Sequence, residues 1–237
     1  MRVIRSIYLM SALIFISSSS AFAGSFSQTK KLLPKVYKEH EITFYCGCNY
    51  TGKKVDLDSC EYIPRKNQKR ASRIEWEHVV PASGFGKFFK EWTEGHPKCV
   101  KQNGKKYKGR KCAGKVNKNF KEMEADPINL VPSVGEVNGD RSNYPYAIIS
   151  GEERKYGECD FEIKGKKAEP RKEARGDIAR IYFYMDKKYP GYMIINESNG
   201  KMLSSWDKDD PVSLWEIERN KRINEVFGAY NEFVSTP

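Results

Sequence analysis

Apolar residues recur at helical spacing in several parts of the chain. Over 171–188, Ile178, Ile181, Tyr182 and Met185 share one stripe, which ends before Pro190. Over 213–227, after Pro211, Trp215, Arg219, Ile223 and Val226 fall together. Helices are also expected over 28–40 and over 117–125, the second broken by Asp126-Pro127. A further helix is expected over 133–143, with Ser133 as its cap and Glu136 at the capping-box position. Strand character is confined to 41–45 and to 73–80, which is rich in Ile, Trp and Val and stops at Pro81. No internal repeat, low-complexity tract or linker divides the chain. The expectation is a helix-rich α+β single domain built around a small strand pair.

The first residues belong to a different pattern. Arg2 and Arg5 precede an apolar run from Ile7 to Ile16, and Ala21-Phe22-Ala23 follows. That is the build of a cleaved export signal over 1–23, leaving a domain over 24–237. As a membrane anchor the run is too short for about 30 Å of hydrocarbon, and no other stretch approaches its length. The six cysteines all lie beyond it, at Cys46, Cys48, Cys60, Cys99, Cys112 and Cys159. An even count in an exported chain reads as three disulfides. Cys99 and Cys112 flank a Lys/Gly-rich stretch that cannot pack itself, so they are expected to close it. Of the pairings open to the other four, Cys48–Cys60 with Cys46–Cys159 is the one favoured. A zinc site fits poorly, because Cys46-Gly47-Cys48 is not a C-x-x-C and no second close Cys/His pair follows.

Charge sharpens the picture. The chain holds 42 Lys and Arg against 31 Asp and Glu, and loss of Arg2 and Arg5 would leave +9. The segment 53–121 alone has 19 basic and 7 acidic residues, a net of +12, so the rest of the mature chain is −3. Such an asymmetry favours an anionic partner: nucleic acid, an anionic polymer or a membrane surface. A solvated surface loop is the bland alternative. Aromatic residues at 13% and hydrophobic residues at 39% exclude a disordered chain.

Candidate chemistry is sparse. His40, His78 and His96 are the only histidines, and His40 and His96 read as surface residues. His78 follows Glu77 at the end of an apolar strand, placing a hard oxygen ligand beside a group that titrates near neutrality. A hydrogen-bonded core histidine on the face of Ile74 and Trp76 is the competing reading, and spacing alone favours it. Downstream, Glu136, Asn138 and Asp140 offer oxygens suited to Mg²⁺, or else mark a capped helix end and a turn.

Together these segments resemble a known family. Glu75-Trp76-Glu77-His78-Val79-Val80-Pro81-Ala82, followed by Pro132-Ser133-Val134-Gly135-Glu136-Val137-Asn138-Gly139-Asp140-Arg141, is similar to the endonuclease I family of exported bacterial nucleases. Further matches are Phe44-Tyr45-Cys46-Gly47-Cys48, the stretch 70–74, Ala168-Glu169-Pro170, the stretch 176–185 and Trp215-Glu216-Ile217-Glu218-Arg219. The resemblance covers nearly all of the mature chain. It implies a ββα-metal (His-Me finger) core, with His78 as general base and Glu77 and Asn138 as ligands of one Mg²⁺. The same site would accept Ca²⁺ or Mn²⁺. Glu124 matches a carboxylate that supports the site. An arginine before Cys112 matches the group that touches the scissile phosphate, with Arg110 the best candidate and Lys105, Lys106 or Lys111 as substitutes. Relatives often carry eight cysteines, and here Ile217 stands where one of them would.

The implied function is sequence-independent hydrolysis of DNA, double- or single-stranded, to 5′-phosphate products, with RNA open as a second substrate. The enzyme would be a monomer in the periplasm or outside the cell, with no membrane partner. The rival is an exported basic protein that binds nucleic acid or anionic polymers without cutting them. One tension accompanies the nuclease reading. Adjacent strand residues point to opposite faces, so Glu77 and His78 can share a site only where the strand ends.

Overall fold

In a computed structural model of the protein, residues 24–151 and 153–235 are described. The expected leader over 1–23 lies outside them. The first helix, α1 (Phe26–Val36), starts at a capping box between Ser25 and Gln28. It stops four residues short of the expectation, because the chain leaves the helix at Tyr37 and passes through left-handed Glu39. The stretch 41–45 is a turn region and not a strand. Its one bridge joins Ile42 to Asn49, and Gly47, at φ 70°, reverses the chain so that Cys46 and Cys48 meet different partners. A two-residue hairpin follows, β1 (Tyr50–Thr51) with β2 (Lys54–Val55).

The centre of the fold is one antiparallel pair. After the short α2 (Gln68–Ala71), β3 (Ile74–His78) pairs with β4 (Leu130–Val134) in the register Ile74↔Val134 to His78↔Leu130. Between them run α3 (Ala82–Gly86), α4 (Lys90–Thr93), α5 (Arg110–Val116) and α6 (Lys118–Glu124). Helix α7 (Gly135–Arg141) leaves β4 without a loop. The expected helix over 133–143 is thus corrected. Ser133 sits in β4 opposite Glu75, and every residue of that strand is buried. Glu136 closes no capping box. Its carboxylate, 1% exposed, takes the backbone N–H groups of Arg65, Lys66 and Asn67 and the Tyr62 hydroxyl.

Hairpin β5 (Phe161–Lys164) and β6 (Lys167–Pro170) and three long helices complete the chain: α8 (Arg175–Lys188), α9 (Glu197–Asp209) and α10 (Leu214–Phe227). The stripe over 171–188 is there as expected, with Ile178, Ile181, Tyr182 and Met185 buried. The helix over 213–227 is there too, capped by Ser213 with Glu216, but its face is corrected: Glu216, Asn220, Ile223 and Phe227 are buried, while Trp215, Arg219 and Val226 are half-buried beside them. Leu33, Leu130, Ile178 and Ile223 meet in one continuous core. Disulfides Cys46–Cys159, Cys48–Cys60 and Cys99–Cys112 match the favoured pairing. The domain is α+β. Among the described residues, no helix is long and apolar enough to cross a membrane.

Candidate active site

Strand β3 delivers its side chains in alternation. Glu75 and Glu77 lie towards α7, while Trp76 meets Tyr37, just past α1, and His78 meets Phe26 at the start of α1, with ring centroids 5.5 and 4.8 Å apart. Both sets reach one cleft of about 1060 Å³, lined on one side by α1 and on the other by α7. The tension over Glu77 and His78 is resolved by Arg141 at the end of α7. Its Nη1 donates to Glu77 Oε1 at 2.8 Å and to the His78 carbonyl at 2.8 Å, and its Nη2 donates to the Val79 carbonyl at 2.9 Å. The pairing gives out one position later: the Val79 N–H still reaches the Asn129 carbonyl in register, but the Val79 carbonyl goes to Arg141 and the Asn129 N–H to the Asp126 carbonyl. Arg141 is fully buried, its guanidinium over the Tyr146 ring.

His78 is 6% exposed. Its Nε2 lies 2.8 Å from the Glu124 carbonyl oxygen. A carbonyl only accepts, so Nε2 carries the proton and Nδ1 keeps the lone pair. Burial, with the nearby Arg110 charge, pushes the imidazole down to about 3. It is a neutral base across the physiological range. Burial pushes Glu77 the other way, above the usual carboxylate range, against the opposing pull of Arg141 and the Tyr45 hydroxyl. Tyr45 donates to Glu77 Oε1 at 3.2 Å.

Glu124 serves the site twice. Its carbonyl holds His78, and its carboxylate takes the Nε–H of Arg110 at 2.5 Å. Arg110 opens α5, two residues before the Cys112 that anchors the helix to Cys99. Phe26 sits between His78 and Arg110, 5.1 Å from the guanidinium carbon. The structure therefore brings His78, Glu77, Asn138, Arg110 and Glu124 together. Lys105, Lys106 and Lys111 do not line the cleft, nor do His40 and His96. Lys30 and Lys31 of α1 do, although they lie outside the segment singled out by charge.

The donors suit a small hard cation. Asn138 and Glu77 both line the cleft, and a carboxylate with one amide oxygen, completed by water, is a set that Mg²⁺ accepts. No group of three His, Cys, Asp or Glu able to hold a metal occurs among the described residues, and all six cysteines are in disulfides. Sequence reasoning missed Arg141 and Tyr45, although both stand in the quoted motifs, and it missed the wall made by Phe26 and Lys30. Burial of an arginine under a strand end has no local signature.

Two strands running straight into a helix, with a histidine on one edge and acidic and amide oxygens beside it, form the centre of an α+β nuclease domain. The Endonuclease I family profile matches residues 19–237, and the chain belongs to that family, whose members are hydrolases. The periplasmic deoxyribonuclease of Aeromonas hydrophila is 42% identical over 219 residues, 90% of this chain and 86% of that one. Endonuclease-1 of Buchnera aphidicola (subsp. Acyrthosiphon pisum) is 41% identical, over 97% of this chain and 91% of its own. An extracellular ribonuclease of Bacillus amyloliquefaciens is 30% identical over 128 residues, 47% of this chain.

Proposed function

We propose that the chain is an exported, Mg²⁺-dependent endonuclease that hydrolyses DNA without sequence preference and leaves 5′-phosphates. The observation that carries this reading is the neutral His78, fixed by the Glu124 carbonyl so that its Nδ1 lone pair is the one left to act. The relatives named periplasmic and extracellular deoxyribonuclease support DNA as substrate and export as destination. The relative named extracellular ribonuclease supports RNA as a second substrate.

Glu77 and Asn138 would hold the cation. When bound, Mg²⁺ supplies positive charge against the phosphorane oxygens and the departing 3′-oxygen. Every other contribution comes from the chain. Lys30, Lys31 and Arg110 attract the phosphate backbone into the cleft. Arg110 spends Nε on Glu124 and keeps its terminal amino groups for the scissile phosphate. His78 Nδ1 takes a proton from water as the water oxygen bonds to phosphorus. The P–O3′ bond then breaks, and the 3′-oxygen takes a proton from solvent. Transfer of the proton to solvent restores neutral His78. The Glu124 carbonyl also faces the imidazolium formed on the way, accepting its Nε2–H throughout.

Incubation with duplex DNA, single-stranded DNA and RNA, in Mg²⁺ and in EDTA, tests this, with end-group analysis of the products. Cutting in Mg²⁺ only, with 5′-phosphate and 3′-hydroxyl ends, is expected. Cutting that persists in EDTA, or 3′-phosphate ends, would refute it. Binding without cutting would establish the non-enzymatic rival.

A further inference from the structure

Glu75 lies two residues before Glu77 on the same face of β3, and a carboxylate there is a competing ligand for the cation. The structure gives it other work. Its Oε1 accepts from Arg70 Nε at 2.9 Å and Arg73 Nη2 at 3.0 Å, and its Oε2 accepts from Arg70 Nη2 at 2.6 Å. The same Oε2 accepts from Asn138 Nδ2 at 2.9 Å. We propose that Glu75 is a positioning residue that fixes the amide of Asn138 with its oxygen presented to the metal. This rests on the reading of Asn138 as a metal ligand.

The argument is one of donors and acceptors. The two ends of an asparagine amide are almost the same shape, so packing alone does not choose between them. Only Nδ2 donates. With the amide turned the other way, Oδ1 would stand against a carboxylate oxygen at hydrogen-bond distance, acceptor against acceptor. Glu75 therefore excludes the orientation in which an NH₂ group, useless as a ligand, would face the cation. The carboxylate is itself immobilised by the two-point fork of Arg70.

A second feature supports the arrangement from the other side. Helix α7 presents Gly135 and Gly139, four residues apart, to this group. A Cβ on Gly139 would overlap the Arg70 guanidinium, and one on Gly135 would press on the backbone of Arg70 and on Glu75. The helix that carries Asn138 is thus bare where it meets the Arg70–Glu75 pair. Asn138 and Glu75 come within bonding distance because of it.

Mn²⁺ binding to the DNA-free protein, followed by titration calorimetry, reads the effect without turnover. Glu75→Leu cannot accept a hydrogen bond, and loss of an outer-shell partner typically costs roughly 10–100-fold in metal affinity. A weakening in that range is expected. Glu75→Gln keeps one acceptor oxygen and should recover most of it. In an Asn138→Asp background both ends of the side chain are oxygens and nothing needs orienting, so Glu75→Leu should cost nothing there. A general structural role predicts equal losses in the two backgrounds, and that result would overturn the inference, as would an unchanged affinity of Glu75→Leu. If Asn138→Ala leaves Mn²⁺ binding intact, the ligand assignment fails as well. If it weakens binding and Glu75→Leu does not, only the positioning role fails. The unaltered protein supplies an independent readout should Glu75→Leu not fold. The Asn138 side-chain amide protons, assigned in nitrogen-15 spectra by their loss in Asn138→Asp, should be protected from solvent exchange. Fast exchange would overturn the inference.

Discussion

Replacing Arg141 by methionine tests the joint on which the site is built. The side chain has no exposure, and its guanidinium is bonded to the Glu77 carboxylate and to the His78 and Val79 carbonyls. Methionine fills similar space without the charge. Two magnitudes compete. Summing the three charge-assisted bonds at about 1.5–3 kcal/mol each would reach the whole stability of an average domain, so the bonds cannot be additive. The better guide is the cost of leaving one partner of a buried ion pair alone, about 3–5 kcal/mol. For a chain of this size that corresponds to a melting temperature lower by roughly 6–20 °C. Glu77→Gln on top of Arg141→Met removes the orphaned charge and should restore part of the loss, giving a coupling of about 1–3 kcal/mol. Denaturant unfolding of the four proteins of this cycle, without metal, measures each quantity. A loss below about 1 kcal/mol for Arg141→Met, or a double variant no better than the sum of the singles, would refute the clamp.

Other expectations are independent of that clamp. Because folding holds His78 near 3 while the unfolded chain titrates it near 6.5, the unfolded state binds the extra proton, so its contribution is full above pH 6.5 and lost as pH falls. Between pH 7 and pH 5 the protein should lose about 2 kcal/mol from this group alone, and His78→Gln should abolish that part of the acid sensitivity in urea melts; an unchanged pH profile would sink the idea. Opening Cys99–Cys112 by a double serine substitution releases a loop of sequence separation 13 and should cost about 3 kcal/mol. Because α5 carries Arg110, cleavage should slow as well, and full activity would show that Arg110 is held by Glu124 alone. Glu136→Ala strands three backbone N–H groups and should cost about 3 kcal/mol or more, with Glu136→Gln milder; equal effects of the two would argue against the acceptor role.

What could be read in advance follows from how local each cause is. The stripe that became α8 was legible because burial on one helix face repeats every three or four residues. Helix α10 was legible as a helix but not in its face, because the polar Glu216 and Asn220 are buried there by partners distant in sequence. Strand β4 was not. Its stretch Val131-Pro132-Ser133-Val134 looks like a helix start, with a capping residue three before a glutamate. Pairing with β3 decides it, and Glu136 is drawn instead to the backbone of 65–67, some 70 residues away. The site shows the same division. His78, Glu77 and Asn138 stand in matched motifs, and Glu124 and Arg110 were placed by resemblance. That Glu124 meets His78 through its carbonyl and Arg110 through its carboxylate is partly backbone geometry, and that part leaves no trace in residue identity. The basic excess over 53–121 located charge but not the cleft, since Lys30 and Lys31 reach it from α1 while Lys105, Lys106 and Lys111 stay outside.

The most direct test of the catalytic assignment compares plasmid cleavage by the unaltered enzyme, His78→Ala and Glu77→Ala across a Mg²⁺ titration, with DNA affinity measured in Ca²⁺. A general base contributes about 10²–10⁴-fold, so His78→Ala should lose at least that in rate while keeping its Mg²⁺ dependence and its grip on DNA. Glu77→Ala should instead need more Mg²⁺ and recover part of its rate at high concentration. If His78→Ala needs more Mg²⁺ as Glu77→Ala does, the histidine is a ligand and not the base. If both cut DNA at the unaltered rate, the cleft described here is not where the phosphodiester is broken.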